Sequence, residues 1–91
     1  MLRPVITPTF KRALKRLHKQ DKAALDEAVR AVLDDPAIGE PKVGDLAGVR
    51  VYKFKLNRQL ALLAYEVLEQ DGVLKLLALG SHENFYRDLK R

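Results

Sequence analysis

A chain of 91 residues makes one small domain with a single modest core, and 47% hydrophobic residues exclude a disordered chain. The absence of cysteine excludes a disulfide framework and a thiolate metal site, and two histidines, His18 and His82, argue against structural zinc. The net charge of +5 is uneven: 1–22 carries seven Lys/Arg and one Asp, 23–48 six acidic and two basic residues, and 49–91 eight basic and five acidic.

The first element is "PVIT" (4–7), short and β-branched, an edge strand in which the opening Pro is tolerated. Thr7 then caps a helix and Pro8 takes its first position, where a missing N–H costs nothing. Phe10, Leu14 and Leu17 follow at i, i+4, i+7 with Ala13 beside them, and Lys11, Arg12, Lys15, Arg16 and Lys19 fill the outer side. A second helix runs from about Asp21 to Leu33, with Leu25, Ala28, Val29, Val32 and Leu33 as its stripe. Pro36 stops it, because the residue before a proline disfavours helix. The short link "HKQD" folds the two helices into a hairpin. The stretch 34–48 holds two Pro and three Gly and reads as a loop.

Three strands follow. In 49–56, "VRVYKFKL", side chains alternate: Arg50, Tyr52, Phe54 and Leu56 share one face, Val49, Val51, Lys53 and Lys55 the other. The next, "LALLAYEVL" (60–68), is apolar almost throughout, as a central strand covered on both faces should be. Asp71-Gly72 is a two-residue hairpin signal. "VLKLLAL" (73–79) is the last strand, Gly80 ends it, and Ser81 caps a short terminal helix. The expected fold is α+β, in the order β-α-α-β-β-β-(α). It is a four-stranded antiparallel sheet with the helical hairpin on one face, and the single domain spans 1–91.

Lys53 and Lys55 raise the question of chemistry. Taken alone, two lysines on a strand are most often a solvated face. At i, i+2 they stand about 7 Å apart on one side, a separation that suits gripping a phosphodiester, and their mutual repulsion favours one of them as a base. Basic surfaces attract polyanions. No apolar run approaches a membrane span, and 1–12 lacks the apolar stretch of a signal peptide, so the expectation is a soluble cytoplasmic protein without membrane contact.

The series "LAGVRVYKFKL", an apolar strand ending in Tyr65-Glu66-Val67, and the ending "GSHENFY" resembles the RelE/ParE superfamily, the toxic halves of bacterial type II toxin–antitoxin pairs. Lys53 and Lys55 fall on the positions of the two catalytic lysines of RelE, and His82 and Tyr86 on those of the site histidine and aromatic residue of the YafQ-like branch. Where RelE has an arginine, three residues before the tyrosine of the second long strand, this chain has Leu62; Arg58 or Arg50 would supply that charge. The resemblance implies a ribosome-dependent endoribonuclease that cuts mRNA by attack of the 2′-hydroxyl on the adjacent phosphate, with no metal or other cofactor. The catalytic set would be Lys53, Lys55, His82, Tyr86 and Arg58. Arg50, Lys11, Arg12, Lys15, Arg16, Arg87 and Lys90 would face RNA and the ribosome. The implied partners are a cognate antitoxin, the ribosome and mRNA. Two alternatives stay open: a ParE-like toxin acting on DNA gyrase, and an inactive homologue that only binds its antitoxin.

Overall fold

The computed structural model describes residues 2–81. Strand β1 (Arg3–Ile6) leads into helix α1 (Pro8–Lys15), then helix α2 (Lys19–Asp34) and a two-residue strand β2 (Glu40–Pro41). Three long strands complete it: β3 (Arg50–Leu56), β4 (Gln59–Leu68) and β5 (Val73–Ser81). The sheet order is β1-β5-β4-β3-β2.

The sheet therefore has five strands rather than four, and it is mixed. β1 runs parallel to β5, while the other neighbours are antiparallel. The parallel pair follows from connectivity, because the two helices and three strands between β1 and β5 return the chain in the same direction. The extra strand, β2, comes from the segment read as loop. Its residues pair with Arg50 and Val51, but Pro41 and the turns around it keep the pairing short.

Thr7 starts α1 as its residue type predicts. Its hydroxyl accepts from Phe10 N–H at 3.2 Å, and Pro8 follows. α1 is shorter than its pattern, so Leu17 lies in the link to α2, and α2 begins at Lys19, two residues before the expected start. Both helices lie over one face of the sheet. Phe10, Leu25, Ala28 and Val32 pack there against Leu63, Tyr65, Leu74 and Leu76. On the opposite face Val51, Leu62, Ala64 and Ala78 form a second buried cluster. β4 supplies both, and Ala61 to Tyr65 are all buried, as the unbroken apolar run requires.

The turns fall differently from their sequence signals. Asp71-Gly72 is not a two-residue hairpin. Leu68 pairs with Val73, and the link is a 3₁₀ turn, Glu69–Asp71, closed by Gly72 at φ 65°. The tight hairpin is instead Asn57-Arg58, between paired Leu56 and Gln59, with φ of 52° and 68°. Positive φ at both central residues is the type I′ geometry that matches strand twist. β5 also runs on past Gly80 to Ser81, which pairs with Ala61, so Ser81 is a strand residue and not a helix cap. The expected terminal helix lies outside the described residues.

Candidate functional site

The alternation of β3 separates its side chains as expected. Tyr52 and Phe54 turn to the helices, with ring centroids 6.2 Å apart and planes 11° from parallel, and pack on the core. Their cross-strand partners, Leu63 and Ala61, are buried with them. Lys53 and Lys55 turn to the face the helices do not cover, and both are exposed. They pair with Leu62 and Leu60. One row across this face is Lys53, Leu62, Gly80, and the next begins Lys55, Leu60.

The neighbours of the lysines differ in burial. Leu62, in the position where the resemblance puts an arginine, is fully buried in the second cluster. Leu60 is 41% exposed beside Lys55. Sequence reasoning grouped Leu60 with the buried residues of its strand. The signal that sets it apart is its place at the start of the strand, next to the hairpin and directly opposite a lysine. Arg58 is exposed at the hairpin tip, three residues along the chain from Lys55.

Arg50, expected among the RNA-facing cations, sits on the helix side of β3. Its Nη1 donates to the Gly39 carbonyl at 2.7 Å and to the Ala37 carbonyl at 3.2 Å. Its cross-strand partner Tyr65 is fully buried and works on the same loop. The Tyr65 hydroxyl donates to the Pro36 carbonyl at 2.7 Å and accepts from Gly39 N–H at 2.9 Å. Burial raises the Tyr65 pKa, and the Gly39 hydrogen bond and the Arg50 charge oppose that rise only in part. Gly39 is needed for close approach, since a Cβ there would stand 2.6 Å from the Tyr65 hydroxyl. Together these contacts fix the turn after α2 and so seat β2 against β3.

Lys11, Arg12, Lys15 and Arg16 are exposed on and just after α1, in the helical layer, across the sheet from Lys53 and Lys55. Arg12 donates to the Thr9 hydroxyl at 3.3 Å. The cations therefore divide between two sides of the molecule, and Arg16 alone of the four lines a cleft that reaches the end of the lysine strand. His82, Tyr86, Arg87 and Lys90 lie outside the described residues; Ser81, which precedes His82 in the chain, pairs with Ala61. Among the described residues no three His, Cys, Asp or Glu side chains converge to hold a metal ion, and no helix is long and apolar enough to cross a membrane.

An exposed lysine pair on the sheet face opposite the helices can hold a phosphate between two charge-assisted donors. Comparison with known proteins gives this geometry a context. A family model for the ParE-like toxin of type II bacterial toxin–antitoxin systems matches residues 5–90. Among solved structures, RelE in the intact Escherichia coli RelBE toxin–antitoxin complex superposes with a TM-score of 0.72 at 20% identity, covering 91% of this chain and 99% of that one. The isolated E. coli RelE toxin gives 0.71 at 20% identity, covering 91% and 86%. A double arginine-to-alanine variant of RelE bound to a peptide of the antitoxin RelB gives 0.70 at 21%, covering 90% and 84%. No curated protein matches the sequence significantly.

Proposed function

Because the chain belongs to the ParE-like toxins of type II bacterial toxin–antitoxin systems, in the RelE/ParE superfamily, we propose that it is a ribosome-dependent mRNA endonuclease held inactive by a cognate antitoxin. The observation that carries this reading is the position of Lys53 and Lys55, both exposed on the sheet face left open by the helices. The fold supports it, being that of RelE over nine-tenths of the chain. The antitoxin finds support in the RelE structures that contain RelB.

In this reaction the 2′-oxygen bonds to phosphorus as the bond from phosphorus to the 5′-oxygen breaks. The 2′-hydroxyl loses a proton to a base, and the leaving 5′-oxygen gains one from an acid. The products are a 2′,3′-cyclic phosphate and a 5′-hydroxyl. Lys53 and Lys55 stabilise the charge that builds on the phosphate, and one of them serves as the base. Arg58, at the hairpin tip, supplies a further cation for the same phosphate. His82 and Tyr86 complete the set, His82 as the acid and Tyr86 as a stacking surface for a base.

Single-turnover cleavage of mRNA on 70S ribosomes tests the assignment. Lys53→Ala and Lys55→Ala should each slow cleavage by about 10²-fold or more, the usual scale for removing an acid–base or charge-stabilising group, and both should relieve growth arrest while remaining folded. Full toxicity in both variants would overturn it. A second reading, a toxin that acts on gyrase, is favoured by the ParE-like family match and by a buried leucine where RelE has its arginine. Inhibition of gyrase supercoiling by the purified chain, without mRNA cuts, would select it.

A further inference from the structure

β2 covers little of its neighbour. It pairs with Arg50 and Val51 alone, so among the described residues β3 is the rim of the sheet from Tyr52 to Leu56. The register decides which backbone groups face that rim. Lys42 N–H donates to the Val49 carbonyl, so Val49 turns its backbone toward β2. Alternation gives Val51, Lys53 and Lys55 the same direction and leaves Tyr52, Phe54 and Leu56 to bond β4. The rim therefore presents, in order, the N–H and carbonyl of Lys53 and the N–H and carbonyl of Lys55. No described residue pairs with these four groups. The two amides stand about 7 Å apart along the strand.

We infer that this rim binds the backbone of single-stranded RNA, the Lys53 and Lys55 amides donating to phosphate oxygens and their carbonyls accepting from 2′-hydroxyls. The inference deepens the nuclease reading above and rests on it for the choice of RNA. Three observations favour this occupant. First, the residues that present the free amides also carry exposed ammonium groups on flexible stems, so an amide and a charged donor can share one phosphate. Arg58, exposed at the hairpin tip, continues the same sign. Second, the rim alternates donor and acceptor. Phosphates alone leave the carbonyls without partners, whereas RNA brings hydroxyl donors as well, and DNA lacks them. Third, the step of about 7 Å is wider than the 3.4 Å rise of a stacked strand, which suits RNA whose bases are splayed apart. A second copy of the chain fits poorly, because pairing β3 with β3 would gather four lysines, the usual device against edge pairing.

The arrangement separates holding from chemistry within the same two residues. The amides are fixed in place, because Tyr52, Phe54 and Leu56 on either side of them pair with Leu63, Ala61 and Gln59 of β4. The ammonium groups are mobile and supply charge. RNA laid along the rim is thus placed by rigid backbone before a side chain acts on it. Choice of RNA over DNA then comes from the rim carbonyls and not from the lysine side chains.

The test uses the full nitrogen-15-labelled chain without ribosomes and three probes: a uridine tetranucleotide, its 2′-deoxy counterpart, and a capped Glu-Val-Glu-Val-Glu peptide, since an extended peptide could pair with the same array. The RNA should move the amide protons of Lys53 and Lys55 downfield and those of Tyr52 and Phe54, which are bonded to β4, much less. The DNA should bind about threefold or more weakly, the scale of one lost hydrogen bond. Replacing the Lys55 peptide N–H by an ester oxygen keeps the ammonium group and should weaken the RNA by a similar factor. Equal binding of RNA and DNA overturns the inference. So do shifts confined to Arg58 and α1, tighter binding of the peptide than of the RNA at these two amides, or no response to any probe. These readouts need no cleavage. Amides that respond in a chain that cuts no mRNA would leave the rim as an RNA-binding edge and sink the nuclease reading; silent amides in a chain that cuts would do the reverse.

Discussion

Arg58 holds a backbone conformation that its side chain does not favour. At φ 68° it occupies the left-handed region, which costs a non-glycine residue about 1 kcal/mol. Glycine would remove that cost and return part of it as unfolded-chain entropy. Arg58→Gly should therefore raise the urea midpoint, by about 0.5 kcal/mol in stability, while lowering the rate of mRNA cleavage. A variant that is both more stable and fully active would remove Arg58 from the catalytic set. Tyr65 makes a second prediction, with a defined sign. Its pKa is raised in the folded state, chiefly by burial. Its contribution is therefore fully present below the unfolded value of about 10 and is lost as pH rises through the higher folded value. The native chain should lose urea stability above about pH 10, and Tyr65→Phe should show a shallower loss. At neutral pH that variant should cost about 1–3 kcal/mol, because Gly39 N–H is left buried without its acceptor. The sequence showed Lys53 and Lys55 on one face because strand alternation is a local rule. It did not show that Arg50 and Tyr65 both bind the 36–39 loop, because that contact joins residues 11 to 29 positions apart.

At the level of elements, Thr7 joins β1, α1 and β5. Its hydroxyl lies 2.9 Å from the Leu77 carbonyl and 3.1 Å from that of Leu76 as donor, and it accepts from Phe10 N–H. Leu77 is the extra residue of a bulge, since Ala64 pairs with Ala78 and Tyr65 with Leu76. The cap thus also satisfies backbone that the bulge leaves unpaired. Thr7→Ala should cost about 1–2 kcal/mol in urea unfolding, the upper part of the range for an N-cap; a change no larger than that of an exposed substitution would show that the β5 contact adds nothing. β1 shows how an edge is kept from pairing. Arg3 donates inward to the carbonyl of Gly72, just before β5, and Thr7 to that of Leu76 within it, so by alternation the backbone of Pro4 and Ile6 faces outward. Pro4 has no N–H, which leaves Ile6 as the one outward donor of the strand. The helix cap, the central strand and the edge strand could be read from the chain because each depends on neighbours in sequence. The parallel pairing of β1, the bulge and β2 could not, because each is fixed by pairing with a distant strand. The two hairpin signals show the same division: Asp71-Gly72 has the preferred residues, yet strand register places the two-residue turn at Asn57-Arg58.

For the whole molecule the question is whether its two groups of cations act as one surface. Lys11, Arg12 and Lys15 lie on α1, and Lys53 and Lys55 lie across the sheet from it. The molecule measures 34 × 28 × 22 Å, and the Debye length in physiological salt is about 8 Å. Opposite faces are thus separated by more than two screening lengths even along the shortest axis, and they contribute independently. On the proposed nuclease reading, the α1 cations would serve affinity for a polyanion and the lysine pair the chemistry. Replacing Lys11, Arg12 and Lys15 together by Gln should weaken ribosome binding and make it less sensitive to salt. The slope of log affinity against log salt should fall by up to about 2, from roughly 0.7 for each phosphate of single-stranded RNA that is no longer neutralised. The single-turnover rate at saturating ribosomes should stay within about twofold of the native chain if the α1 cations act only before the chemical step. Lys55→Ala should do the opposite, lowering the rate and changing the slope by no more than the share of one phosphate. If the triple variant instead cleaved slowly even at saturation, α1 would have to reach the scissile phosphate, and the division of labour between the two faces would fail.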